Sequence, residues 1–364
     1  MKLRELCDKL EEWAPLAYQE SYDNSGLIVG DLEQDVTAVL VSLDCLESVV
    51  DEAIQRNCNV IVSHHPIVFK GLKSLTGKNY VERTVLKAIK NNIALYAIHT
   101  NLDNVSTGVN RMIANRLSIE NTRILKPKNS VLRQLITYVP EAHVEQVRSA
   151  LFAEGAGAVG AYSECHFSVA GTGTFKGAEH AQPVVGQKGI RETVNEHRIE
   201  LVFPNYLESN VISALKKAHP YEEVAYSIIS LNNQNQDVGS GMIGELSEDV
   251  TQMEFLTILK EKLKTDCVRH TKLLTTKIKK VALCGGSGSF LINAAKKSGA
   301  DVFVTSDVKY HEFFDAEDRI LIADIGHYES EQFTMDLIAD FLLKNFPKFA
   351  IHLSKVNTNP INYL

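Results

Sequence analysis

Two adjacent histidines, His64 and His65, stand where the apolar run Val60-Ile-Val62 meets a proline, in Asn59-Val-Ile-Val-Ser-His-His-Pro-Ile-Val-Phe69. Neutral imidazole is the commonest metal ligand in proteins, and two on one turn can serve a pair of ions. Pro66 disfavours helix at His65 and keeps both rings on a turn. A second cluster, Ile98-His-Thr-Asn-Leu-Asp103, again follows an apolar run. The Asp103 carboxylate has two oxygens and about four lone-pair sites, so it can bridge two cations. His99 and Asn101 are polar enough to orient ligands or solvent behind it. Asp103 also reads as the N-cap of a following helix. In the third cluster, Arg319-Ile-Leu-Ile-Ala-Asp-Ile-Gly-His-Tyr-Glu-Ser-Glu331, a strand passes through a glycine turn into a helix. His327 and Glu331 are four apart, so both project from one helix face and can chelate one metal while reaching a second. Glu331 would also suit the helix macrodipole there.

Three histidines and two carboxylates, without a thiolate, form an N/O set suited to Zn, Fe or Mn. Five protein ligands exceed what one catalytic zinc takes. They suit two divalent ions ~3.5–4 Å apart that share a carboxylate and a water acidified to hydroxide. Asp307 and His311, after another strand, repeat the four-residue spacing and are expected behind the ligands or against substrate. Gly285-Gly-Ser-Gly288 lies between a strand and a helix, where backbone N–H groups can hold an anion. It lacks the Lys-Ser/Thr of a P-loop and the full dinucleotide fingerprint.

The elements that must position these residues follow from hydrophobic periodicity. Helical stripes (Leu3, Leu6, Leu10, Trp13) and apolar strands (Val36–Leu43, Val60–Val62, Ile93–Ile98) alternate up to a helix over Val105–Leu117. This rhythm predicts a mostly parallel sheet flanked by helices. In such sheets ligands bind beyond the carboxyl ends of the strands. A polar break at Lys126–Ser130 opens a β-α-β-β-α-β stretch, the order of a ferredoxin-like α+β unit. It ends in Asn232-Asn-Gln-Asn-Gln-Asp237, which reads as a linker. The α/β rhythm then returns. The expected fold is thus a discontinuous α/β main domain, residues 1–126 and 238–364, with residues 127–237 inserted between its halves.

The whole chain sets outer bounds. Its 364 residues are 45% hydrophobic and 23% charged, as in an ordinary globular protein. A net charge of −7 carries no global footprint for nucleic acid, although a local basic groove stays open. The charged, amphipathic start Met1-Lys-Leu-Arg-Glu-Leu has no apolar core of a signal peptide. No segment has the ~18 uninterrupted apolar residues of a membrane span. Six cysteines without a Cys-x-x-Cys pair read as reduced thiols, so a cytoplasmic protein is expected. Cys284, beside the glycine turn, reads as packing.

At these residues the chain resembles a known family. Tyr22-Asp-Asn-Ser-Gly-Leu27, Ser63-His-His-Pro66, His99-Thr-Asn-Leu-Asp103, Asp307-x3-His311 and Gly326-His-Tyr-x2-Glu331 occur in the order found in the GTP cyclohydrolase 1 type 2 homologues, the Ngg1-interacting factor 3-like dinuclear metal proteins. The segment His219-Pro-Tyr-Glu-Glu-Val-Ala-Tyr226 resembles the PII-like domain inserted in longer bacterial members. The family often has tryptophan where Tyr22 stands. The resemblance implies metal ligands at His64, His65, Asp103, His327 and Glu331, a homohexameric toroid with metal sites facing an internal cavity, and a cytoplasmic location. It implies hydrolysis at C8 of GTP with release of formate. The triphosphate needs cations or N–H donors, for which Gly285–Ser289 and Lys309 are the candidates in this sequence. Two other functions fit the same residues: a metal-dependent phosphoesterase on a nucleotide-like substrate, and a non-enzymatic metal-holding scaffold whose insert senses a ligand through His219–Tyr226.

Overall fold

The structure, a computed structural model, describes every residue except Pro183. The chain forms two compact units, one of Met1–Pro127 with Gln236–Leu364 and one of Lys128–Asn235.

The first unit contains two mixed sheets. In one, Ala38–Ser42, Val60–Ser63 and Ala94–Ala97 run parallel, with Ala350–Leu353 parallel on one edge and Gly26–Val29 antiparallel on the other. The central strands are buried along their whole length and mostly apolar, as strands covered on both faces are. Val39, Val41, Val60 and Val62 point into a core shared with the second sheet, while Leu40, Ile61 and Leu95 pack under the helices Glu47–Gln55 and Tyr80–Lys90. Each such side chain contributes about 1.5–3 kcal/mol when fully buried, so the sheets have ample support independent of the polar edge. The second sheet centres on the parallel strands Ile278–Ser287, Val302–Ser306 and Leu321–Asp324. Arg269–His270 completes one side, and Asn235–Val250 followed by Glu120–Lys128 the other.

Three boundaries differ from the periodicity. The helix expected over Val105–Leu117 spans Val109–Arg116. A Cβ on Gly108 would lie 1.8 Å from the Leu102 carbonyl oxygen, so residues 105–108 form a close-packed turn. The polar run expected as a linker instead contains the start of a 16-residue strand, Asn235–Val250. Its partner Glu120–Lys128 likewise runs through the start of the expected polar break. Pro127 is tolerated there because the strand lies at the sheet edge. Gly239 fits this pair by close approach, since a Cβ would sit 2.3 Å from the Lys126 carbonyl oxygen.

The second unit is a four-stranded antiparallel sheet in the order Phe167–Lys176, Arg191–Pro204, Leu132–Pro140, Tyr226–Leu231. The helices Val144–Ala153 and Glu208–Ala218 cover one face and close a core of Leu135, Val139, Leu151, Phe203 and Leu215, among others.

Candidate metal centre

Strand register brings the chemistry-bearing loops together. Ser42, Ser63 and Ala97 are direct neighbours at the carboxyl ends of three parallel strands. The residues that follow them, Asp44, His64-His65 and His99, therefore leave the sheet side by side. The ladder continues one step beyond the strands: His64 N donates to the Ser42 carbonyl (3.1 Å), His65 N to Leu43 (2.9 Å) and Ile98 N to Ser63 (2.9 Å). In the second sheet Thr305 pairs with Asp324. Gly326 then turns the chain at φ +91° into the short helix His327–Glu331.

Each of the three histidines is held through Nδ1. His64 donates to the Ile98 carbonyl at 2.8 Å, His65 is paired with Asp44 Oδ1 at 2.8 Å, and His327 with Asp307 Oδ2 at 2.6 Å. A carbonyl oxygen only accepts, so His64 carries a proton on Nδ1 and turns Nε2 inward. Nε2 faces Asp103 Oδ1 at 3.7 Å and Glu331 Oε1 at 3.8 Å. Glu331 Oε2 lies 3.0 Å from His65 Nε2 and 3.1 Å from His327 Nε2. Three ligand-type groups result, His64/Asp103/Glu331, His65/His327/Glu331 and His64/His65/His99, each with donor atoms within 4.8 Å of one another. Glu331, rather than Asp103, is the carboxylate shared between the first two.

The residues present fit a metal. His64 Nε2 and Asp103 Oδ1 are buried without a hydrogen-bond partner. Orphaned buried polar atoms are costly. A cation between them removes that penalty. Imidazoles anchored through their other nitrogen to a carboxylate or carbonyl are the usual outer shell of a metal-binding histidine.

The metal-free electrostatics follow the same geometry. Burial raises Asp103 to about 6, reinforced by the Glu331 charge. Burial also opposes ionisation of Glu331, but His327, His64 and His65 hold it well below the carboxylate range. The Glu331 charge, with Asp307, pushes His327 up to about 11. Burial opposes charging of His65, yet its bonds to Asp44 and Glu331 raise it to about 9. Burial pushes the Cys284 thiol well up, in keeping with a packing role.

The surrounding residues divide sharply. His99 bonds Asp23 Oδ1 at 2.7 Å and presents its ring edge to His64 and His65. Asn101 is buried and accepts from His99 N at 2.9 Å while donating to the Ala14 carbonyl, so it fixes the loop that bears His99. Asp307 orients His327, but His311 does not join it. Asp307 sits at φ +56°, which breaks the helical spacing, and His311 is exposed against Tyr310 and Phe314. The first two glycine amides are not available to an anion: Gly285 N bonds Asn110 Oδ1 and Gly286 N bonds Ser330 Oγ. Gly286 instead makes room for the carboxylate, since a Cβ there would lie 2.3 Å from Glu331 Oε1. Gly288 packs against Thr305 and Cys284 in the same way. In the second unit His219 is buried, with Nε2 donating to the Tyr138 carbonyl and Nδ1 accepting from Tyr221 N, which leaves neither nitrogen for a ligand.

The sequence analysis places Asp23 only within the Tyr22–Leu27 motif, with no role of its own, and gives none to Asp44. Asp44 follows its strand as His64 and Asp103 follow theirs, and that placement was the available signal. A cavity of about 500 Å³ opens above the cluster, with Tyr22, Phe69, Phe290 and Tyr328 among its aromatic lining. Among the described lining residues none is Lys or Arg, and Lys309 is not one of them. Lys126 Nζ lies 5.8 Å from the Phe290 ring.

Two facing α/β sheets with imidazoles and carboxylates converging at their carboxyl ends define a protein with a candidate metal centre. The family model for Duf34/NIF3 (NGG1p interacting factor 3) matches residues 1–360, and the chain belongs to that family. A Bacillus subtilis (strain 168) protein named GTP cyclohydrolase 1 type 2 homolog is 40% identical, over 99% of this chain and 98% of the relative. The crystal structure of a Bacillus cereus protein related to NIF3 superposes with a TM-score of 0.85 at 38% identity, covering 100% of this chain and 99% of that one. A Staphylococcus aureus structure, SA1388, gives 0.79 at 33% identity with the same coverage. Among the described residues no helix is long and apolar enough to cross a membrane.

Proposed function

We propose that this protein is a dinuclear metal-dependent hydrolase acting on a nucleotide-like heterocycle, with GTP and formate release as the specific reaction. Two divalent ions, zinc foremost and iron or manganese otherwise, would be held by His64, Asp103 and Glu331 and by His65, His327 and Glu331. The observation that carries this reading is the convergence of three Nε2 atoms on one buried carboxylate, beside a buried and unpartnered Asp103 oxygen. When bound, such a pair supplies a water acidified to near-neutral pKa. The chain's own contribution is to fix the imidazoles through Ile98, Asp44 and Asp307 and to offer aromatic faces for a flat ring. The name borne by the relatives supports a purine substrate.

One observation favours a substrate without a triphosphate, or a phosphoester held by the ions alone: the described lining lacks Lys and Arg, and the amides of Gly285 and Gly286 are already bonded. The decisive assay incubates zinc-loaded protein with GTP, GMP and guanosine and measures formate and phosphate. Formate from any of them, abolished in Glu331→Ala, supports the cyclohydrolase. Phosphate without formate indicates the phosphoesterase, and neither product supports the scaffold. The homohexameric ring, cytoplasmic location and PII-like insert belong to the same proposal; light scattering on the eluted protein tests the first.

A further inference from the structure

The segment after the Ala350–Leu353 strand runs to the candidate metal centre, where Asn359, Pro360 and Ile361 line the cavity above it. Ser354 N extends the ladder to the Val41 carbonyl at 2.8 Å. Glu52 then clamps the chain, accepting from Ser354 Oγ at 2.6 Å and from Lys355 N at 3.0 Å. Four residues beyond Ser354, the buried Thr358 donates its hydroxyl to Asp44 Oδ2 at 2.5 Å, and Asp44 Oδ1 is the partner of His65 Nδ1. The next residue, Asn359, donates to Glu329 Oε1 at 3.0 Å. Glu329 is buried on the short helix that bears both His327 and Glu331. Adjacent residues of one segment therefore hold the ligand loop of the first sheet and the ligand helix of the second.

We propose that Thr358 is a positioning residue for His65, acting through Asp44, and that with Asn359 it sets the spacing between the two ligand-bearing elements. This rests on the metal-binding part of the proposed function. A carboxylate that orients a metal-binding imidazole must itself be held, and Thr358 fixes the oxygen that His65 does not use. Without that hydroxyl Asp44 is free to rotate, and the His65 ring loses its fixed aim at Glu331. The ion held by His65 and His327 is then weakened, while the group built on His64 and the Ile98 carbonyl is spared.

The test is zinc titration of the full chain against a competing chelating dye, for wild type, Thr358→Val, Thr358→Ser, Asp44→Asn and the double variant Thr358→Val/Asp44→Asn. The expected result is roughly tenfold weaker binding of one ion in Thr358→Val, the lower end for outer partners of a ligating histidine. Thr358→Ser should restore wild-type affinity, and the double variant should be no weaker than Asp44→Asn because the two residues act in series. Unchanged binding in Thr358→Val, or a loss that adds in full to that of Asp44→Asn, would overturn the proposal. Should the valine variant fail to fold, Thr358→Ala carries the same comparison. A wild type that takes up no zinc overturns the metal reading, and is distinguished because every variant would then behave alike.

Discussion

Glu331 Oε2 lies 3.0 Å from His65 Nε2 although 266 positions separate them in the chain. The contact joins the carboxyl edge of one sheet to that of the other, and it makes Glu331 the residue common to the two carboxylate-bearing ligand groups. Removing it should therefore differ in kind from removing one histidine. Elemental analysis of protein purified without chelator should find about two ions per wild-type chain. His65→Ala should retain one, and Glu331→Gln close to none. Equal losses in the two variants would contradict a shared carboxylate.

Asp307 touches His327 at 2.6 Å and reaches no other member of the cluster by hydrogen bond. Asp307→Asn keeps the size but removes the charge that orients the ring. We expect metal affinity about 10–100-fold lower, measured by chelator competition, with the fold intact by circular dichroism. His311→Ala, at the other end of the same four-residue spacing, should change nothing.

Gly286 stands at φ +61° with its α-carbon against Glu331. Gly286→Ala incurs about 1–2 kcal/mol for the left-handed backbone and drives the carboxylate from its place. The expected outcome is a lower melting temperature together with loss of metal. Wild-type metal content in this variant would show that Glu331 has room to adjust.

Glu82 reports on acid stability apart from the metal. Its buried carboxylate accepts from Thr76 N, Thr76 Oγ1 and Lys78 N, led by the Thr76 backbone bond, and these lower it to about 2. The unfolded value is about 4.3. The stabilisation is thus complete above the unfolded value and is lost as pH falls through the folded one. Thermal melts should show wild type ahead of Glu82→Gln at pH 7, with the gap closing between about pH 4.5 and 2. A gap that widens on acidification would reverse the assignment.

Much of this architecture was legible in apolar runs. Val60-Ile-Val and Ile98 mark buried strands, and the polar residues immediately after them must emerge at one edge. That logic brings His64, His65, Asp103, His327 and Glu331 into one neighbourhood. It was silent on Asp44 and gave Asp23 no role of its own, because a single carboxylate carries no spacing to distinguish it from any surface acid. It misjudged Gly285-Gly286, because a glycine pair announces close approach without naming the approaching group, here the Asn110, Ser330 and Glu331 side chains. It also misjudged His311, because a four-residue spacing has meaning only on a helix and Asp307 turns left-handed. The Asn235–Val250 strand was hidden by its polar start, since edge-proximal backbone pairs regardless of apolar side chains.

The division of the first unit into Met1–Pro127 and Gln236–Leu364 has a consequence in time. On the ribosome His64, His65 and Asp103 emerge early and can fold into their sheet, but the carboxylate they converge on follows more than two hundred residues later. At ordinary elongation speeds that interval is roughly 10 s or more. On the proposed metal reading, the nascent chain would present His64 and His65 throughout it without the carboxylate that joins the two sheets. Loading would then wait for His327 and Glu331, after the whole intervening unit has been synthesised.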